Sequence, residues 1–307
     1  MTGRPAFSAA VLIGNGAVGK LMHAVLDGHV ESVTIVDQQH LAGGPADGGE
    51  QHDVRRIVAD VTEPGEQPAL ELALASAALV ICALPEDALL AAFPRVIAAM
   101  PPGALAIDTA SVKSHLSVLW SATGPSILSI NPMFAPSLSP VGRPVLTVSA
   151  GRRGRQDDFL KLLRHNGMRV MPLADADEHD RLAAITQTGV HAGALAYGLT
   201  LAASGFSAEQ VAALAPPPCR QQLMLLARMT AQSPEVYEDI QRSNPYAEQA
   251  RADLIENLAQ IGRLASRKAM NSAFGDISDW LGSARIPLAE LCQNVYDGFA
   301  VPDELPQ

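Results

Sequence analysis

The sequence predicts an α/β protein in two parts: an N-terminal Rossmann-type, doubly wound parallel sheet and a C-terminal all-α domain. Three observations carry this. Over the first half of the 307 residues, short apolar runs alternate with helical stretches. The glycine pattern "GNGAVG" lies between a predicted strand and a predicted helix. Strand signals vanish after about Asp177, where Ala/Leu-rich stretches carry apolar residues at three- and four-residue spacing. The expected boundary falls between residues 176 and 177, giving domains 1–176 and 177–307.

The strands expected in order are "AAVLIG" (9–14), "SVTIVD" (32–37), "ALVICAL" (78–84), "ALAIDT" (104–109), "SILSI" (126–130), "VLTVSA" (145–150) and "MRVMPL" (168–173). The last follows the helix-like "QDDFLKLLRHNG". Residues 40–53, "HLAGGPADGGEQHD", have no periodicity and read as a surface loop. In the second part, "DADEHDRLAAITQTGVHAGALAYGLTLAAS" reads as one long helix with acidic residues near its N-terminus, where the helix dipole favours them. Most of its later circumference is apolar, so it must be buried, and residues 182–203 are expected to pack against a partner subunit in a homodimer. Further helices are expected over "PCRQQLMLLARMTAQ", "SPEVYEDIQRS", "AEQARADLIENLAQIGRLAS" and "KAMNSAFGDISDWLGSARIPL".

A formal charge of -10 with no basic run argues against nucleic acid or an anionic membrane surface and leaves a small-molecule substrate as the expected partner. Cys82, Cys219 and Cys292 stand far apart without CxxC spacing, so neither a disulfide framework nor a metal site is expected, and a reducing cytoplasm is the default location. No leader-like segment or membrane-length apolar run is evident.

Within "VLIGNGAVGK", Gly14 is expected to make the turn, Gly16 to admit a pyrophosphate close to the backbone, and Gly19 to let helix and strand pack closely. The next strand ends in Asp37, at about the expected ~20-residue distance, where a carboxylate can accept hydrogen bonds from both ribose hydroxyls. Asp37 would repel a 2′-phosphate, and Gln38 and Gln39 supply no cation, so NAD is favoured over NADP. A glycine turn in some other α/β protein is the bland alternative. The expected cofactor-binding set is Gly14, Asn15, Gly16, Ala17, Val18, Gly19 and Asp37, with Leu84 and Pro85 from the end of the third predicted strand.

"IDTASVKSHL" (107–116) follows a predicted strand, at the carboxyl edge where α/β sheets bind ligands. Ser111 and Lys113 are expected to face the cleft. Taken singly, Ser111 reads as well as a helix cap, and Lys113 as a solvated surface lysine. Together with "NPMFAP" after the next strand they resemble the prephenate dehydrogenase family, whose members carry a nucleotide fingerprint, an Asp-x-x-Ser-Val-Lys segment and a His-Pro-Met-Phe-Gly-Pro segment. The resemblance continues through "EHDRLAAITQTGVHAGALAYGLTLA" and "MTAQSPEVYEDI" and so covers nearly the whole chain. It implies a Rossmann domain paired with a helical dimerisation domain. It also implies NAD-dependent oxidation at C4 of a cyclohexadienyl pyruvate while the ring carboxylate leaves as carbon dioxide.

The departure falls on the histidine that, in the family, accepts a hydrogen bond from the C4 hydroxyl. Here it is Asn131, and Ala135 replaces the following glycine. Either the protein is a non-catalytic NAD-binding relative, or the C4 substituent differs. Hydride loss builds positive charge on the attached heteroatom. A hydroxyl then needs a strong acceptor, whereas an unprotonated amine donates electrons well enough to need only a neutral one. Asn cannot ionise against an ammonium, and its oxygen accepts from either amine form. The resemblance thus sharpens to the branch acting on 4-amino-4-deoxyprephenate, which supplies 4-aminophenylpyruvate for 4-aminophenylalanine and secondary metabolites. An ordinary prephenate dehydrogenase is the alternative, with dehydrogenases of β-hydroxy acids behind it. By the same resemblance Asn131, Ser111 and His191 are expected to be catalytic, and Lys113, Gln187 and Arg251 to bind substrate. His191 alone reads equally as a satisfied core histidine. Gln187, four residues before it, shares its expected helical face. Arg220, Arg228, Arg242 and Arg251 are the helical-half arginines nearest recognisable family segments, with Arg251 assigned to the pyruvyl carboxylate.

Overall fold

The structure is a computed structural model and describes residues 5–39, 53–63, 65, 67–120, 125–150, 154–264 and 266–299. Two compact units emerge: Met1–Ala184 with Arg242–Pro245, and Ile185–Gln241 with Tyr246–Gln307.

Among the described residues of the first unit, eight strands form one sheet: β1 (Phe7–Ile13), β2 (Val30–Asp37), β3 (Asp53–Val58), β4 (Leu79–Cys82), β5 (Leu105–Asp108), β6 (Ser126–Pro132), β7 (Pro144–Ala150) and β8 (Arg169–Pro172). They lie in the order β3-β2-β1-β4-β5-β6-β7-β8. The order reverses at β1 and β4, which opens a crevice at their carboxyl ends. All seven expected strands overlap an observed one. The unanticipated β3 is an edge strand in which only Ile57 is buried, so it presents no apolar run to read. Arg55 and Arg56 charge that edge, which discourages further strand pairing. Of the expected 40–53 loop, only Asp53 falls among the described residues, and it opens β3.

The sheet is not uniformly parallel. β7 runs antiparallel to β6, because residues 133–143 are too few for a crossover connection, and β8 then pairs parallel to β7. Asn131, expected just after a strand, lies within β6 opposite Leu146.

Among its described residues are also six helices: α1 (Ala17–Leu26), α2 (Pro68–Ser76), α3 (Glu86–Ala99), α4 (Ser114–Ser117), α5 (Gln156–His165) and α6 (Ala176–Ala183). Alternation along β1 drives the layering. Ala10 and Leu12 join α1 and α5 on one face, through Met22, Leu26, Phe159 and Leu163. Val11 and Ile13 join α2 and α3 on the other, through Leu74, Leu89 and Phe93. Burial of each such Leu or Phe is worth about 1.5–3 kcal/mol, so the two faces fix the β1 terminus that carries the glycine turn.

The expected single helix from residue 175 is interrupted. α6 is capped by Asp175, whose carboxylate accepts the Glu178 N–H at 2.8 Å. A π-helical turn, Ala184–Gly189, follows, and then α7 (Val190–Ala202). Ile185, Thr186, Thr188 and Gly189 are weak α-helix formers, and the wider turn leaves carbonyls to be satisfied from elsewhere. Gln241 Nε2 donates to the Thr188 carbonyl at 2.9 Å, and Thr188 Oγ1 donates to the Ile240 carbonyl at 3.0 Å.

The second unit continues as α8 (Ala208–Leu214), α9 (Pro217–Thr230), α10 (Pro234–Arg242), α11 (Ala247–Gly262), α12 (Arg267–Leu281) and α13 (Arg285–Asp297). Its helices leave large apolar side chains uncovered, among them Leu199, Ile255, Leu258, Phe274, Leu291 and Trp280, the last 82% exposed. Water is a poor neighbour for so many large apolar side chains. Among the described residues, no helix is long and apolar enough to cross a membrane.

Candidate active site

At the carboxyl ends of β1, β2 and β4 the first unit holds a cleft of about 530 Å³. Gly14 sits at φ +93°, where an L side chain is strained, and a Cβ there would run into the Ala83 carbonyl. A Cβ on Gly19 would run into the Gly14 carbonyl, so turn, helix and β4 pack at a separation that glycine alone permits. A Cβ on Gly16 would meet nothing within 4 Å, which is open space above the backbone. Gly16 also starts α1 without a side-chain cap, leaving first-turn N–H groups free to take phosphate oxygens.

Asp37 closes the other end of the cleft. Its Oδ2 accepts the Asn15 N–H at 2.7 Å and its Oδ1 the Gln39 N–H at 2.9 Å. Those bonds fix the carboxylate and leave each oxygen a lone pair for a ribose hydroxyl. The donor set therefore fits a dinucleotide without a 2′-phosphate. Of the expected cofactor residues, Gly14, Asn15, Gly16, Asp37, Leu84 and Pro85 line the cleft. Ala17 and Val18 are the first residues of α1 outside that lining, and Val18 packs towards the core. Gln39, Asp60, Thr62, Ala83 and Ala88 also line it, contributed by chain ends whose approach depends on strand order and so is silent in sequence.

A second cluster is built where β5, β6 and α6 meet, all within the first unit. Asp108, Lys113, His179 and Asp180 have no exposed surface, and Asn131 is only 3% exposed. Lys113 Nζ donates to Asp108 Oδ1 at 3.0 Å and to the Ile130 carbonyl at 2.8 Å. Burial pulls its ammonium below the ordinary lysine range, against the opposing pull of Asp108. Ser129 Oγ and the Ala110 N–H also donate to Asp108 Oδ1, at 2.8 and 3.2 Å. Lys113, expected to face the cleft, is instead wholly buried. Its charge is spent clamping β5 to β6, and none of its surface is accessible. Ser111 is half-buried on the same loop.

Asp180 receives the Lys113 and Ser114 backbone N–H groups, both at 2.8 Å, and the Ser114 hydroxyl. It also pairs with His179 Nδ1 at 2.8 Å. Burial works to raise the Asp180 pKa, but the bonds from His179, Ser114 and the backbone outweigh it and hold the carboxyl below its usual range. His179 is pushed down, chiefly by burial and further by Lys113, against the pull of Asp180 and Asp108. The stable pair is thus an ionised Asp180 and a neutral His179. The remaining ring nitrogen, Nε2, lies 3.1 Å from Asn131 Nδ2.

In the second unit, His191 is half-buried with Nδ1 unpartnered among the described residues. Its ring meets Tyr237 edge-on at 5.1 Å, and burial lowers its pKa. Gln187 lies in the π turn, so its four-residue spacing to His191 is not a regular α-helical turn. Arg251 Nη1 donates to the Gln241 carbonyl at 2.7 Å and to Gln241 Oε1 at 3.2 Å.

Residues 175–278 match the family described as prephenate dehydrogenase, dimerization domain. A 4-amino-4-deoxyprephenate dehydrogenase of Streptomyces pristinaespiralis is 36% identical over 96% of this chain and 99% of its own length. The chain belongs to the prephenate dehydrogenase family. A T-protein of Enterobacter agglomerans is 29% identical over 70% of the chain, which spans 58% of that longer relative. Similar folds are those of a Synechocystis arogenate dehydrogenase (TM-score 0.63, 18% identity, 89% of this chain and 99% of that one) and an A. aeolicus prephenate dehydrogenase in complex with hydroxyphenyl propionate and NAD+ (TM-score 0.64, 15% identity, 92% and 98%).

His179 and Asp180 fall at the start of the segment "EHDRLAAITQTGVHAGALAYGLTLA" that carries the resemblance, but the sequence alone gives them no role. The missing signal is that two polar residues on a helix turn must be paired if that turn is buried.

Two outcomes follow. Asp37→Ala combined with Gln38→Arg should weaken NAD and improve NADP binding, measured by titration of each cofactor, whereas unchanged preference removes Asp37 from the ribose site. Lys113→Ala should cost about 3–5 kcal/mol of unfolding free energy, because it strands a buried Asp108 charge. A urea unfolding midpoint equal to wild type would return Lys113 to the surface.

Proposed function

We propose that this member of the prephenate dehydrogenase family, an NAD-dependent dehydrogenase, acts on 4-amino-4-deoxyprephenate. The reaction converts that substrate and NAD+ to 4-aminophenylpyruvate, CO2 and NADH, supplying 4-aminophenylalanine for secondary metabolism. Asn131 carries this reading. It is buried in β6, and its Nδ2 faces a neutral ring nitrogen of His179. The similarity to the Streptomyces pristinaespiralis enzyme supports the same substrate.

Gly14, Gly16, Asp37, Leu84 and Pro85 would hold the cofactor, which when bound accepts the hydride leaving C4. Asn131 Oδ1 accepts a hydrogen bond from the C4 amine and orients its lone pair towards the ring as positive charge builds there. Because the amide cannot protonate, it adds no like charge beside an ammonium. Ser111 and His191 are assigned to the same catalytic set, and Gln187 to the substrate side. Arg251, with Nη1 committed to Gln241, offers Nη2 and Nε to the pyruvyl carboxylate. Two copies associate through the apolar helices of the second unit.

Steady-state kinetics following NADH test the substrate. Wild type should prefer the amino substrate, Asn131→His should raise turnover of prephenate without improving the amino reaction, and Asn131→Ala should slow the amino reaction by ~10- to 1000-fold. A wild-type preference for prephenate overturns the substrate, and an unaffected Asn131→Ala overturns the role of Asn131. Sedimentation should give twice the 32.2 kDa chain mass. A monomer at micromolar concentration refutes the dimer.

A further inference from the structure

We infer that Asp180 and His179 are positioning residues that lock the Asn131 side chain in one of its two amide orientations, keeping Oδ1 rather than the NH2 group available to the substrate. The inference rests on the proposed role of Asn131 at C4. An asparagine is pseudo-symmetric: rotation by half a turn exchanges an acceptor for a donor at nearly constant shape. A residue chosen as a neutral acceptor therefore needs something that forbids the exchange.

The cluster supplies it through a chain of forced proton positions. Asp180 is the terminus. Two backbone N–H groups and the Ser114 hydroxyl already donate to it, so the carboxylate has only acceptor capacity to show His179. His179 Nδ1, at 2.8 Å from Asp180 Oδ1, must carry the ring proton. A neutral ring then presents a bare lone pair at Nε2. The group facing it 3.1 Å away must be a donor, and of the two ends of Asn131 only the NH2 qualifies. The reversed amide sets two acceptors against each other in a site closed to water, a penalty that biases the equilibrium by roughly 10- to 100-fold.

The charges around His179 hold this state. Asp180 on its own helix and Asp108 at the end of β5 favour its protonation, while burial and Lys113, on the loop after β5, oppose it and prevail. A protonated ring would donate from Nε2 and call for the opposite amide orientation.

Asp180→Asn tests the lock. The substituted amide can donate to His179 Nδ1, which moves the ring proton to Nε2 and turns Asn131 round. The expected result is a fall in kcat on the amino substrate by about 100-fold or more, towards the ~10⁴-fold loss seen when an analogous carboxylate behind a histidine becomes an amide. KM for NAD should not change, because the cofactor cleft lies on other strands. Adding Asn131→Asp should recover at least about tenfold of the lost kcat, since a carboxylate accepts from Nε2–H with one oxygen and keeps the other for the substrate. A purely structural role for Asp180 predicts no such rescue. His179→Gln should also lower kcat, because glutamine bonds either orientation. In native protein, ¹⁵N spectra of labelled histidine should show His179 protonated at Nδ1. That reading does not depend on any variant folding.

Three results overturn the inference alone: an Nε2–H tautomer in the native protein, an Asp180→Asn enzyme with wild-type kcat although Asn131→Ala is impaired, or a loss in Asp180→Asn that Asn131→Asp fails to relieve. An Asn131→Ala enzyme with full amino activity removes the C4 role of Asn131 and this inference with it.

Discussion

Two carboxylates shut away from water, Asp108 and Asp180, govern how the first unit is assembled. Neither can stay ionised there unless donors converge on it, and the donors come from separate segments. Asp108 draws in the Lys113 ammonium, the Ser129 hydroxyl and the Ala110 N–H. Asp180 draws in the backbone at Lys113 and Ser114 together with His179. Lys113 serves both carboxylates, through its side chain and its main chain, so the loop after β5 is pinned between β6 and α6. Asn244, returning from far along the chain, donates to the Asp180 carbonyl at 2.8 Å and completes the pairing. Breaking one partner strands a buried charge, which is why such clusters cost more to damage than their net worth would suggest.

The sequence was legible where burial leaves a periodic trace. β1, β4, β5 and β6 are apolar runs because both faces of the sheet are covered. The glycine turn was legible because Gly14 and Gly19 occupy positions that no Cβ can enter, and Asp37 because it ends the adjacent strand. β3 was not legible, since an edge strand with one buried residue has no apolar pattern. The antiparallel turn into β7 depends on connection length, which hydrophobic periodicity does not report. Likewise, the interruption of the helix at Ala184–Gly189 is a matter of hydrogen-bond register rather than of composition.

The site itself was half legible. Asn131 stood out because one residue departs from an otherwise ordered motif, while Lys113 was misplaced for a physical reason. A lysine carries a charge that usually seeks water, and only the partner Asp108, five residues earlier at the end of a buried strand, makes its burial tolerable. Sequence shows both residues but not the closure of α6 over them. His179 and Asp180 have the same history: adjacent residues on one helix, unremarkable until that helix turn proves to have no exposed surface at either position.

These constraints bear on why asparagine suits the position. A buried titratable group at 131 would join a cluster that already holds Asp180, His179, Asp108 and Lys113, and its protonation would be coupled to theirs. An amide adds hydrogen-bonding capacity without another charge to balance. The cost is directional ambiguity, because asparagine alone does not choose between donating and accepting. A neutral imidazole whose proton is fixed on its far side removes that ambiguity, and the fixed proton comes from a carboxylate saturated with donors. The orientation of the amide in β6 is therefore as much a property of α6 and the loop after β5 as of Asn131.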